Sequence, residues 1–341
     1  MTTHQPTPQP TPLPSPGRIL EIASGYWATG LLAVATQNSL FTHIHHGLTT
    51  PADLAHKTGM APRGLQTLLD GLLGLGLLTT DNGTTYHNTP ETDLYLVEGK
   101  PTDISGFAQL KLAEMDKLTD RLDIFTTGQP PAGPMVEIAD NPHWEKVVTA
   151  IAGLSVTAAH TAAEALDIPG RDNLAILDVG GGSGIFSSVW LRLNPTAHTT
   201  QLDWEPINNI AQRLLTQHDL ADRFTPLNGD FHTTPLPPHT YDIALYSHIA
   251  HQESPHNNTH TFTKLRHTLK PHGTLVICDY ILDNHRTGPT FPLLFASEML
   301  LKSNTGNTWT RHDYTTWLTQ AGYTTITYHP TNTPATLILA Q

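Results

Sequence analysis

Hydrophobic spacing divides the chain near residue 170. Before that point apolar residues recur at helical intervals; after it, short apolar runs alternate with helical stretches. "GYWATGLLAVATQNSLFTHI" (25–44) shows the first pattern. "LTTPADLAHKTGM" (48–60) predicts a helix with Thr50 as N-cap and Pro51 in its first turn. "APRGLQTLLDGLLGLGLL" (61–78) predicts another, followed by two extended runs around Asn82-Gly83, the residues a tight hairpin turn favours. Helix, helix, hairpin is a winged-helix pattern, assigned to residues 18–100. Residues 101–170 read as a helical connector, broken at "TTGQPPAGP" (126–134) and closing in one long amphipathic helix from Trp144 to Ile168.

Residues 171–341 have a different rhythm. "LAILDVG", "HTTQLDW", "YDIALYSHI", "GTLVICDYIL" and the pair "TTITYHP" and "ATLILA" are strand candidates separated by helices. That order predicts an α/β fold: a Rossmann-like, doubly wound parallel sheet with an antiparallel pair late in the chain. The N-terminal domain is expected to be mostly helical and winged-helix-like.

Composition changes this picture in three places. The first 17 residues are rich in Pro, Thr and Gln, lack the basic start and apolar stretch of a signal peptide, and are expected to be a disordered tail. No apolar run approaches the roughly 20 residues of a membrane span, so no membrane partner is expected and the protein is placed in the cytoplasm. Net charge is -12, from 30 acids against 18 bases, which disfavours nucleic acid as a partner. The helix that would read DNA bears only Arg63 and Asp70 as charges. Its Leu-rich helices would otherwise leave a large apolar patch, so a homodimer is expected. Cys278 is the sole cysteine, so no intramolecular disulfide forms; it reads as a small apolar residue of a buried strand.

The candidate chemistry starts at "ILDVGGGSGIF" (176–186), where four glycines fall in five positions behind an apolar run. In open α/β sheets ligands sit at the carboxyl ends of strands, and glycine lets the backbone come close to them. Counting from Gly180 and Gly182, the third position of a dinucleotide fingerprint is Ile185, and no G-K-[ST] follows for a P-loop. Asp178 with Gly180, Gly182 and Gly184 instead resembles the first motif of class I S-adenosylmethionine-dependent methyltransferases. Asp203, ending the next strand beside Trp204, stands where a ribose diol wants an acceptor. "NGDF" adds Gly229, Asp230 and Phe231 for an adenine edge and face, and Ser247 ends the following strand.

Together with "YDIALYSHIAHQES" and the winged-helix front, this resembles the bacterial and plant family of small-molecule O-methyltransferases, over about residues 18 to 341. The resemblance implies S-adenosylmethionine as cofactor and a small, aromatic secondary metabolite as acceptor. It also implies a homodimer whose N-terminal region closes the acceptor pocket of its partner. It makes His251 the general base, a task histidine suits because its ordinary pKa is about 6.5. It makes Asp279, in "CDYIL", the carboxylate that orients that histidine. The family's second carboxylate falls at Thr308, and the Asp that usually follows the base is Gln252. These departures keep open a C- or N-methyltransferase on the same scaffold, such as a metal-assisted α-keto acid C-methyltransferase, and a binding protein whose catalytic step has lapsed. No metal is assigned, although His248 and His251 form an H-x-x-H pair for which His285, Glu253 or Glu298 could supply a third ligand. "HIHHG" (43–47) reads as a solvated helix end. In "FPLLFASEMLL" (291–301), Phe295 and Met299 are the candidates for clamping a planar substrate, with His248 beside them.

Overall fold

A computed structural model describes residues 15–119, 122–130, 138 and 142–341. Most of the Pro/Thr-rich tail (1–14), and the expected break from residue 131 onward, lie outside the described residues. The chain divides into two compact units, one ending at Asp93 and one running from Leu94 to Gln341.

In the first unit the helix Pro51–Thr58 starts at Thr50, whose hydroxyl oxygen accepts from the Asp53 N–H at 3.2 Å. The helix Pro62–Gly74 leads to the hairpin Leu78–Asp81 and Thr85–Asn88. Its turn needs two left-handed residues, and Asn82 and Gly83 supply them at φ 57° and 72°. Most of the Leu-rich helix is not surface: Leu65, Leu68, Leu69 and Leu72 are buried, Leu73 is half-buried, and Leu75 at its end is exposed. Each buried leucine contributes roughly 2 kcal/mol of transfer free energy there. The exposed apolar stripe lies instead on the helices Gly17–Ala23 and Gly25–Gln37, where Ile19, Leu20, Ile22, Tyr26 and Trp27 all face solvent.

The second unit is built on seven strands: β1 (Ala175–Val179), β2 (His198–Asp203), β3 (Phe224–Asn228), β4 (Tyr241–Ser247), β5 (Leu269–Asp279), β6 (Ile326–Pro330) and β7 (Thr336–Ala340). Their order in the sheet is β3-β2-β1-β4-β5-β7-β6. Only β7 runs against the others, pairing antiparallel with both β5 and β6. The strand order reverses between β1 and β4, the switch point at which an α/β sheet opens a crevice for a ligand. Buried apolar clusters cover both faces, with Trp190 fully buried on one and Phe262 and Tyr314 on the other.

Two expectations change, and one strand, β3, is added. "GTLVICDYIL" is not one strand: β5 starts earlier, at Leu269, and ends at Asp279, while Ile281–Leu282 pairs with Trp309–Thr310 in a separate ribbon. β3, "FTPLN", shows no alternation strong enough to mark it as a strand. The long connector helix is split into His143–Ile151 and Val156–Ala165 by a tighter turn at Ala152–Ser155. Gly153 sits in that turn because a Cβ there would come within 2.5 Å of the Asp103 carbonyl oxygen.

Trp144–Ala165 is nonetheless long and apolar enough to cross a membrane by length and composition, as is the bent pair Gly17–Ala23 and Gly25–Gln37. Neither is an uninterrupted apolar run. The first has another use. Ala158, Ala159, Ala162 and Ala163 are buried in the sheet's core, and the Trp190 indole N–H donates to the Ala159 carbonyl at 2.8 Å.

Candidate active site

The carboxyl ends of β1, β2, β3 and β4 surround a cavity of about 300 Å³. Seven residues expected from the sequence line it: Gly180, Gly182, Asp203, Trp204, Gly229, Asp230 and Phe231. Gly180 has φ 64°, and a Cβ there would press to 2.6 Å from Ile249. The Asp203 carboxylate is held at the rim by two backbone donors, Gly182 N–H at 3.0 Å and Trp204 N–H at 2.8 Å. Burial pushes its pKa up to about 6 against the pull of those two bonds.

Three of the expected residues do not line the cavity. Asp178 is buried beneath the glycine loop, where its Oδ2 accepts from the Ser187 hydroxyl at 3.0 Å. Burial raises its pKa to about 7, Ser187 opposes the rise, and the neighbouring Asp203 adds to it. Gly184, at φ 75°, precedes the helix Ile185–Leu193; a Cβ there would meet Ala211 at 2.9 Å, so it serves helix packing. Ser247 ends β4 in register with Cys278. Trp144, Val148, Ile207, His232, Ile249 and Glu253 also line the space, and nothing in their spacing announced it.

A second, narrower cavity of about 90 Å³ adjoins the first, with Trp144 and Gln252 lining both. His248, His251, Phe295 and Met299 line it, as expected, joined by Tyr280 and Phe291. Phe295 presents its edge to His251, with ring centroids 5.0 Å apart, and packs on Tyr280 at 4.7 Å. β4 ends before these histidines. His248 follows it in a left-handed conformation, φ 56°, and His251 lies in the short turn Ala250–Gln252.

His251 and Asp279 form a buried pair. The His251 Nδ1 lies 2.6 Å from Asp279 Oδ1, and the backbone N–H of His251 donates to Oδ2 at 3.0 Å. Tyr280 N–H adds a donor to Oδ1 at 2.7 Å, and the Tyr314 hydroxyl donates to Oδ2 at 3.0 Å. Burial alone would raise the Asp279 pKa, but the charge and hydrogen bond of His251, with His248 and the Tyr280 N–H, bring it below the ordinary value. A carboxylate so held takes the Nδ1 proton as its partner and leaves Nε2 as a free acceptor. Tyr314 completes the arrangement from the helix Arg311–Gln320, and no sequence signal marks it.

His248, His251 and Asp279 offer ligand atoms within 4.8 Å of one another. Both oxygens of Asp279 are already engaged, so the set suits an oriented histidine better than a cation. Burial lowers the His248 pKa to about 4, Asp279 opposing and His251 adding, so it is neutral near pH 7. The other ligand candidates have different partners. Glu253 bonds His232 and Asn257, Glu298 pairs with Lys111 and Lys302, and the backbone of His285 is tied to Asp283. Thr308 is fully buried, and its hydroxyl has no partner among the described residues.

Residues 136–324 match the model of the O-methyltransferase domain, and residues 20–98 that of the O-methyltransferase dimerisation domain. The chain belongs to the O-methyltransferase family. It is an S-adenosylmethionine-dependent O-methyltransferase. Among curated relatives of this family, it is 27% identical to the tetracenomycin polyketide synthesis 8-O-methyl transferase TcmO of Streptomyces glaucescens, over 96% of each chain. It is 26% identical to the L-tyrosine C(3)-methyltransferase of Streptomyces lavendulae, over 94% of this chain and 91% of the other. The structure of human N-acetylserotonin methyltransferase in complex with S-adenosylmethionine superposes with a TM-score of 0.82 at 22% identity, covering 98% and 99% of the two chains. This O-methyltransferase thus shares that fold over 98% of its length.

The residues of the larger cavity fit the cofactor. Two carboxylates, Asp203 and Asp230, offer acceptors for hydroxyl and amino donors, and Gly180 and Gly182 leave the backbone bare where a ligand must lie close.

Proposed function

We propose that this enzyme methylates a hydroxyl group of a small aromatic metabolite, with His251 as general base and Asp279 as its positioning residue. One observation carries the reading: His251, held from behind by the buried Asp279, lines a cavity whose Trp144 and Gln252 walls are also walls of the cofactor cavity. S-adenosylmethionine, when bound, supplies an electrophilic methyl group on a sulfonium. The protein's part is to take a proton and to hold the oxygen in line. Asp279 keeps the Nδ1 proton in place, so Nε2 can accept the hydroxyl proton as the oxygen attacks. Phe291, Phe295, Met299 and Tyr280 give a flat ring an apolar slot, and a fixed approach supplies rate by proximity. Asp203 is assigned to the ribose diol, and Asp230 and Phe231 to the adenine.

The exposed stripe of Ile19, Leu20, Ile22, Tyr26 and Trp27 supports a homodimer formed through the N-terminal helices. The fold's buried use of Trp144–Ala165 supports a cytoplasmic enzyme.

The deciding experiment uses carbon-13 methyl-labelled S-adenosylmethionine with a panel of phenols, α-keto acids and arylamines, read by carbon NMR. An O-methyl signal on a phenol, lost in His251→Ala, is expected. A second reading, transfer to a ring carbon, is favoured by the likeness to the tyrosine C(3)-methyltransferase. A C-methyl signal that persists in His251→Ala would establish that reading in place of the first.

A further inference from the structure

The far wall of the acceptor cavity carries charge that methyl transfer does not call for. Lys111 and Glu114 come from the helix Gly106–Thr119, Glu298 and Lys302 from the helix Thr290–Lys302. They close into a square in which each carboxylate gives one oxygen to each ammonium. Lys111 meets Glu114 at 3.0 Å and also bonds Glu298; Lys302 meets Glu298 at 2.7 Å and also bonds Glu114. Glu114 and Lys302 are buried, and Glu298 is nearly so. Lys111, Glu298 and Lys302 face the cavity. Burial works against all such charges, yet the Glu298 pKa is lowered by Lys302 and Lys111, and the Lys302 pKa is raised by Glu298 and Glu114.

A square of this kind ties two helices together, but its donors are not used up. An ammonium has three N–H groups, and among the described residues Lys302 spends two, on Glu114 and Glu298. Lys111 likewise spends two, and its remaining side lies over the Phe107 ring at 5.1 Å. The square is electrically balanced, with two charges of each sign. A carboxylate on the acceptor would add an uncompensated charge in buried surroundings, whereas a neutral carbonyl would simply accept the spare N–H.

Position selects where that carbonyl must be. Phe295 touches the His251 ring, and Glu298 and Lys302 follow it by about one and two turns, on the order of 5 and 10 Å along the helix. From this juxtaposition we propose that Lys302, supported by the square, is a specificity-determining residue that binds a ketone or quinone oxygen on the edge of the acceptor opposite the reacting hydroxyl. The acceptor class is therefore a hydroxyaryl ketone or quinone. The inference rests on the proposed function for the direction in which the ring lies.

The test is calorimetric binding to the whole enzyme with S-adenosylhomocysteine present, so that no turnover occurs. The probes are 6-hydroxy-1-tetralone and 5,6,7,8-tetrahydro-2-naphthol, which share a skeleton and differ in the carbonyl. Binding is read rather than rate, because the carbonyl also acidifies the phenol. The wild-type enzyme should bind the ketone at least tenfold more tightly. Lys302→Met should bring the two within twofold by weakening the ketone more than the naphthol. If that variant does not fold, Lys302→Met/Glu298→Gln removes one charge of each sign and serves instead. Equal binding by the wild type, no binding of either probe, or a preference that survives in the folded variant would each overturn the assignment. A ketone preference without O-methylation of any phenol would instead sink the proposed function and leave Lys302's role standing.

Discussion

Asp279→Asn isolates the positioning of the base. The carboxylate accepts four hydrogen bonds: His251 Nδ1 at 2.6 Å, His251 N–H at 3.0 Å, Tyr280 N–H at 2.7 Å and Tyr314 hydroxyl at 3.0 Å. Asparagine keeps the size and one acceptor oxygen, but it turns the other position into a donor and removes the charge. In the transition state the charge matters most, because His251 becomes a cation as it takes the proton. A hydrogen bond to a charged group contributes about 1.5–3 kcal/mol. At 1.36 kcal/mol per decade, losing it should cost about 10- to 150-fold in kcat. The cofactor cavity does not include Asp279, so the Kd for S-adenosylmethionine should hold within about twofold. The assay is steady-state methylation of a phenol, paired with thermal unfolding to show that the variant is folded. A folded variant with kcat within twofold of wild type would refute the orienting role, and with it the case for His251 as base.

Two further results should follow from the geometry. Asp203→Ala should weaken S-adenosylmethionine binding by about 1.5–3 kcal/mol, roughly 10- to 150-fold by calorimetry. Because Asp203 titrates near 6 and the ribose diol needs its ionised form, wild-type affinity should fall about tenfold between pH 7 and pH 5, and the Ala variant should lose that dependence; an unchanged Kd would mean that the diol is held elsewhere. Trp27→Glu, on the exposed stripe, should shift the enzyme to monomer in analytical ultracentrifugation without lowering its unfolding temperature, whereas a charge at buried Leu72 should cost the fold itself; a dimer that persists in Trp27→Glu would place the contact on another face.

What the sequence disclosed, it disclosed through local chemistry. Asn82-Gly83, Thr50-Pro51 and the glycines after β1 each answer a backbone demand that few other residues can meet, so they are visible without a structure. The carboxyl-end acids were visible for a related reason: strand ends at a switch point are where an α/β sheet binds. A motif records which residues recur around a loop but not which of them face the cavity, and Asp178 and Gly184 do not line it. Asp178 is turned under the loop toward Ser187, and Gly184 answers to Ala211 on the next helix.

The residues that stayed hidden are those whose role exists only between elements. Tyr314 reaches Asp279 from a helix 35 positions later in the chain, and Glu114 and Lys302 meet across 188 positions. Periodicity assigns a residue to a face of its own helix and says nothing of the element opposite. The leucines of Pro62–Gly74 show the cost of that gap. Their density suggested a patch for a second copy, yet Leu54, Leu78 and Tyr86, from neighbouring elements, complete a core around them. The exposed apolar face is on the earlier pair of helices, which hold fewer leucines. Density of apolar residues reports how much surface must be buried; only the packing shows whether the unit buries it alone.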